Sequence, residues 1–86
     1  MIYIDEPSLL YPNPVVDEVA ILVGGSAQIA EVFIYDIQGN ISYYKEFLML
    51  NASRQILIDV NHLSQGNYIV KVVTSTTEET LRFIKQ

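Results

Sequence analysis

One histidine, His62, and no cysteine occur among the 86 residues. Neither a thiolate nor a multi-histidine metal site can therefore be assembled from this chain, and no catalytic dyad is read around the single histidine. His62 sits in the polar stretch Asn61-His62-Leu63-Ser64-Gln65-Gly66 and reads as a solvated turn residue. Carboxylates are more plentiful. Asp5, Glu6, Asp17, Glu18, Asp36, Asp59, Glu78 and Glu79 are candidates for calcium, yet none falls in the alternating spacing of a dedicated calcium loop. They are expected at solvated turns and strand ends, with Asp36 accepting amides of the turn it opens in Asp36-Ile37-Gln38-Gly39. Gly24-Gly25-Ser26 is too short for a phosphate loop and is expected to form a hairpin turn. Asn51-Ala52-Ser53 matches the glycosylation tripeptide, a pattern short enough to arise by chance. Six tyrosines, at positions 3, 11, 35, 43, 44 and 68, are scattered over strands and faces and are expected to pack at the core edge and on sheet faces rather than line one groove. No catalytic residue, metal site or cofactor is assigned.

Composition narrows the class further. Half the residues are hydrophobic and 17% are charged, which is the composition of a folded chain rather than a disordered one. At this length one core is available, burying roughly 60 to 65% of the unfolded surface. Without cysteine, that core and the backbone ladders must supply all the stability. The net charge of −5, with only five Lys and Arg, argues against a surface that tracks nucleic-acid phosphates or anionic lipid, and no nucleic-acid partner is expected. No apolar run approaches the ~20 residues of a membrane-spanning helix.

The elements are β throughout. Apolar residues alternate with polar ones or form short β-branched runs, and no stretch sustains helical i, i+3, i+4, i+7 spacing. An extended lead around Ile2 to Ile4 and a run at Leu9-Leu10-Tyr11 meet a strand-breaking corner at Tyr11-Pro12-Asn13-Pro14, where two prolines remove backbone donors. Strands are then expected over residues 17–23, 31–37, 41–50, 54–60, 67–74 and 79–85. The strand at 67–74 carries the strongest signal and is expected to be central. Gln38-Gly39-Asn40 marks a hairpin, and Leu63 is expected to tuck inward beneath a compact turn that Gly66 leaves with positive φ. About seven strands at this spacing predict an all-β, immunoglobulin-like antiparallel sandwich. Val19, Ile21, Val32, Ile34, Ile58, Tyr68, Val70 and Val72 are expected among its core residues.

Four landmarks in order carry a family resemblance. They are Tyr11-Pro12-Asn13-Pro14, Val32-Phe33-Ile34-Tyr35-Asp36-Ile37-Gln38-Gly39, Leu63-Ser64-Gln65-Gly66-Asn67-Tyr68-Ile69-Val70-Lys71-Val72, and the close at Arg82-Phe83-Ile84-Lys85-Gln86. Each alone is common in β proteins, whereas their order and spacing over nearly the whole chain are specific. The chain resembles the C-terminal sorting domain of type IX secretion cargo, the Por secretion system domain. It departs at Asn67, where the family often has a small apolar residue.

The resemblance implies a non-catalytic address label at the C-terminus of a protein exported across a Gram-negative outer membrane. Its implied partners are the outer-membrane type IX machinery and a sortase-like peptidase, and the cargo is secreted or surface-attached by way of the periplasm. Met1-Ile2-Tyr3-Ile4-Asp5-Glu6 lacks the basic and apolar regions of a secretory signal, so that signal is expected outside this chain. Residues 1–8 are then an extended lead from the parent protein, and residues 9–86 the sorting sandwich. The family's closing motif falls on Arg82, Phe83, Ile84, Lys85 and Gln86, expected to be recognised. Structural landmarks fall on Tyr11, Pro12, Asn13, Pro14, Asp36, Gly39, Gly66 and Tyr68. Arg82 and Lys85, near an exposed end, are expected to have little core duty, and the last residues to fray with little loss of buried area. The alternative from another class is an extracellular β-sandwich module for adhesion or for binding carbohydrate or protein.

Overall fold

Alternation with a period of two, rich in Val and Ile, produces seven strands in the computed structural model, which describes residues 7–50 and 52–86. In chain order they are β1 (Leu9–Tyr11), β2 (Glu18–Leu22), β3 (Ile29–Tyr35), β4 (Ile41–Leu48), β5 (Gln55–Asp59), β6 (Gly66–Thr74) and β7 (Glu78–Lys85). The lead expected around Ile2 to Ile4, and Asn51 of the glycosylation tripeptide, lie outside the described residues. The strands form two antiparallel sheets, β1-β2-β5 against β4-β3-β6-β7. This is an immunoglobulin-like sandwich in which the fourth strand sits beside the third. β6, which carries the strongest strand signal, is an interior strand, as expected.

Every core residue expected from the alternation is buried, and so are Val15, Ala30, Met49, Ile56, Val60 and Phe83. The inner faces meet through Val19 and Ile21 on β2, Ile56 and Ile58 on β5, Val32 and Ile34 on β3, and Tyr68, Val70 and Val72 on β6. Each such side chain contributes about 1.5–3 kcal/mol by leaving water. Leu63 packs partly buried against this core.

Two local expectations are corrected. Gly24-Gly25-Ser26 is not a hairpin: β2 and β3 lie in different sheets, so this turn carries the chain across the sandwich. Gly25 supplies the positive φ of 76° that the crossing needs, and Arg54, just before β5, fastens it, donating from Nε to Val23 O at 3.1 Å and from Nη2 to Gly24 O at 3.3 Å. The strand expected over 31–37 runs instead over Ile29–Tyr35, because Asp36 claims the next residues for a turn. Its Oδ1 accepts the amides of Gln38 at 2.9 Å and Asn40 at 3.0 Å, leaving Ile37 76% exposed.

Candidate functional site

The closing strand β7 sorts its motif onto two faces. It pairs with β6 in a register that sets Phe83 opposite Tyr68 and Lys85 opposite Gly66 on the core side, and Arg82 opposite Ile69 and Ile84 opposite Asn67 on the outer side. Phe83 is 1% exposed and stacks on Tyr68 with ring centroids 5.3 Å apart. Tyr68 in turn donates its hydroxyl to Ser64 O at 2.7 Å, tying the turn before β6 to the core. Gly66 enters β6 with φ 150°, a conformation that a β-carbon disfavours.

Lys85 overturns the expectation of a solvated terminal cation, being 7% exposed. Alternation puts its stem beside Phe83 on the inner face, and its Nζ reaches back to donate to Gln86 O at 2.8 Å. Glu79, expected in solvent, is likewise on the inner side and accepts from Ser8 N at 2.9 Å and from Ser8 Oγ. Ser8 Oγ also receives the amide of Gly24 at 2.9 Å, so this buried hydroxyl joins the entry to β1, the crossover and β7.

The outer edge of the closing strand is not free to fray either. After β1, Pro12 and Pro14 lack the N–H groups that would continue the β1–β2 ladder, and both follow cis peptide bonds. The chain swings to the opposite sheet instead. There Val15 makes a parallel bridge to Lys85, donating its amide to Ile84 O at 2.7 Å and accepting from Gln86 N at 2.8 Å. Asn13 Oδ1 accepts the amide of Ile84 at 3.0 Å. The corner is thus a strap over the last three residues. Val15, fully buried, anchors it. Tyr11 sits at the other end of the corner, its hydroxyl accepting from Gln55 Nε2 at 2.7 Å.

Strap and strand together frame a shallow hollow on the outer face, lined by Asn13, Ile37, Asn67, Ile69, Arg82 and Ile84, with the inward-turned Tyr68 and Phe83 also reaching its wall. Ile37, Ile69 and Ile84 are 76%, 44% and 46% exposed. Arg82 brings a cation without an ion pair among the described residues. An apolar floor with one guanidinium and two carboxamides suits an extended peptide with an acidic or carbonyl-rich partner surface. Asp36 and Gly39 lie in the β3–β4 hairpin beside it, Gly39 with φ 88°. The turn amides, that of Asn40 foremost, hold the Asp36 carboxyl below its ordinary value by stabilising the anion.

Arg82, Ile84, Asn13, Asn67 and Ile37 are therefore brought together, while Phe83 and Lys85 are turned inward. The role of Val15 escaped sequence reasoning, since a lone valine after a proline corner gives no sign of a bridge to the far end of the chain. Among the described residues no group of side chains is placed to hold a metal ion. No curated protein matches the chain. The model of the secretion system C-terminal sorting domain family matches residues 9–86, spanning β1 through β7 with the strap and the hollow. The chain belongs to this family, the non-catalytic C-terminal sorting domains of type IX secretion cargo.

Proposed function

We propose that the outward half of the closing motif, Arg82 and Ile84, is what the outer-membrane type IX machinery reads on this domain, with Ile37, Ile69 and Asn67 completing the contact. One observation carries the proposal: alternation commits Phe83 and Lys85 to the interior and leaves Arg82 and Ile84 on the hollow. Recognition by that machinery, and secretion or surface attachment of the cargo, follow from family membership. The residues that make the contact are our assignment. In this account residues 9–86 form the sorting unit and residues 1–8 the lead from the parent protein. A sortase-like peptidase acts on the cargo after it has reached the periplasm by a signal peptide and crossed the outer membrane.

The adhesion or carbohydrate-binding alternative would need a free aromatic surface. The surface it would use is the half-exposed cluster on β3 and β4, away from the closing motif, where Phe33 lies 4.7 Å from Tyr44 and 6.1 Å from Tyr35 between ring centroids and Tyr44 donates to Glu31 Oε2 at 2.7 Å. A photo-crosslinking residue tests the assignment. Placed at position 84 of an exported fusion, it should capture an outer-membrane component of the type IX machinery. Placed at 57, on the opposite sheet, it should not. Capture from 57 and none from 84 would reject the assignment.

A further inference from the structure

We propose that β5 is a self-association edge, through which two copies of this chain join their three-stranded sheets into one. A sandwich of two open sheets has four outer strands, and three of these carry devices that discourage a further strand. β1 has three residues and runs into Pro12. β4 places Lys45 on the core side, opposite Val32, so an added strand would have to desolvate an ammonium. β7 places Glu79 and Lys85 on its core side, and Val15 straps its end.

β5 has none of these. Ile56 and Ile58 fill its core side, while Gln55, Leu57 and Asp59 face outward, Leu57 at 55% exposure. The hydrogen bonds of the β2–β5 ladder settle which backbone groups are left over. Val23 N donates to Arg54 O at 2.9 Å and Val60 N to Asp17 O at 2.8 Å, which puts the bonded pairs at Ile21 with Ile56 and Val19 with Ile58. Gln55, Leu57 and Asp59 therefore direct their N–H and C=O groups away from β2, off the sheet.

A second β5, running antiparallel about a two-fold axis at Leu57, matches this edge. Leu57 then lies opposite its own copy, and Gln55 lies opposite Asp59 of the partner subunit in both directions. The pairing makes roughly six ladder hydrogen bonds, and it sets an amide donor against a carboxylate acceptor with no like charges opposed. Capacity remains at both groups. Gln55 gives one N–H to Tyr11 and Asp59 one oxygen to the amide of Asn61 at 2.8 Å, leaving a second N–H and a second oxygen. The interface is isologous and closes as a dimer. Being a short strand pair rather than a full interface of ~1,200 Å² or more, it is weak, with a dissociation constant on the order of micromolar to millimolar.

Sedimentation equilibrium of the chain up to about 1 mM reads this directly. The expected result is a reversible monomer–dimer equilibrium, tightened by Gln55→Lys by about two- to thirtyfold, the range that two opposite-charge cross-strand pairs supply. Leu57→Lys, which sets two ammonium groups against each other on the axis, should leave monomer. So should Leu57→Pro, which deletes an N–H that β2 does not use. Circular dichroism shows whether each variant stays folded, and tightening by Gln55→Lys counts for the proposal in a chain that keeps the parent's β spectrum. A wild-type chain that stays monomeric throughout, or a dimer indifferent to all three substitutions, would overturn the proposal.

Discussion

Asn13 and Ile84 stand 71 residues apart in sequence and are joined by a hydrogen bond of 3.0 Å from the Ile84 amide to the Asn13 side-chain oxygen. That bond makes the proline corner and the closing motif one structural unit. Asn13→Ala should lower unfolding free energy by on the order of 1 kcal/mol, the net value of one exposed amide bond. Denaturant titration measures it, and hydrogen exchange should speed up at Ile84 before the amides of β6.

Removal of residues 84–86 is expected to be disruptive to the fold as well as to recognition. It deletes both bonds to Val15, the bond to Asn13 and the buried stem of Lys85. The loss should be on the order of 3 kcal/mol or more, from three hydrogen bonds at about 1 kcal/mol each plus packing. Phe83→Ala should cost about 3–5 kcal/mol by opening a cavity against Tyr68, a large share of the ~5–15 kcal/mol that holds a small domain together. Thermal melts of the truncated and Phe83→Ala chains check both.

At Gly66 no heavy atom lies within 4 Å of where a β-carbon would sit, so substitution meets strain rather than collision. Gly66→Ala and Gly66→Val should each destabilise by about 1–3 kcal/mol, the cost of holding a side-chain residue in a sparsely populated backbone region. Equal melting temperatures for variant and parent would remove strain as the reason for glycine there.

Acid should loosen the β3–β4 hairpin. Because the Asp36 carboxyl is depressed in the fold, first by the Asn40 amide, it contributes stability that is present above its unfolded value of 3.8 and is lost as pH falls through the folded value. Titration followed by NMR should place the Asp36 midpoint below 3.8. Asp36→Asn should flatten the acid limb of stability in that window.

The strands and their buried faces were legible because alternation of Val and Ile with polar residues has one physical reading. Val32, Val70 and Val72 could face nothing but a core. The allocation of strands to sheets was not legible at Gly24-Gly25-Ser26, since a glycine turn permits a hairpin and a crossing equally. The strap was hidden because Val15 and Lys85 meet only through the three-dimensional path of the chain. Lys85 and Glu79 misled by type: charge is ordinarily solvated, but a lysine stem can bury when its tip finds a carbonyl, and a carboxylate when Ser8 supplies its donors. At the site, the closing motif was recognised as a string, and only the register against β6 divides it into an inner and an outer half.

The most direct test of the account separates those halves. The domain is fused behind a signal peptide and a fluorescent reporter in a host with the type IX machine, and the exported share of reporter is compared for the parent and for Arg82→Ser/Ile84→Ser. Both replaced side chains lie on the outer face, so the isolated variant should melt within a few degrees of the parent, corresponding to roughly 1 kcal/mol or less. The account predicts that the parent fusion reaches the surface or medium while the equally folded variant is retained in the periplasm. Undiminished export of the folded variant would contradict it.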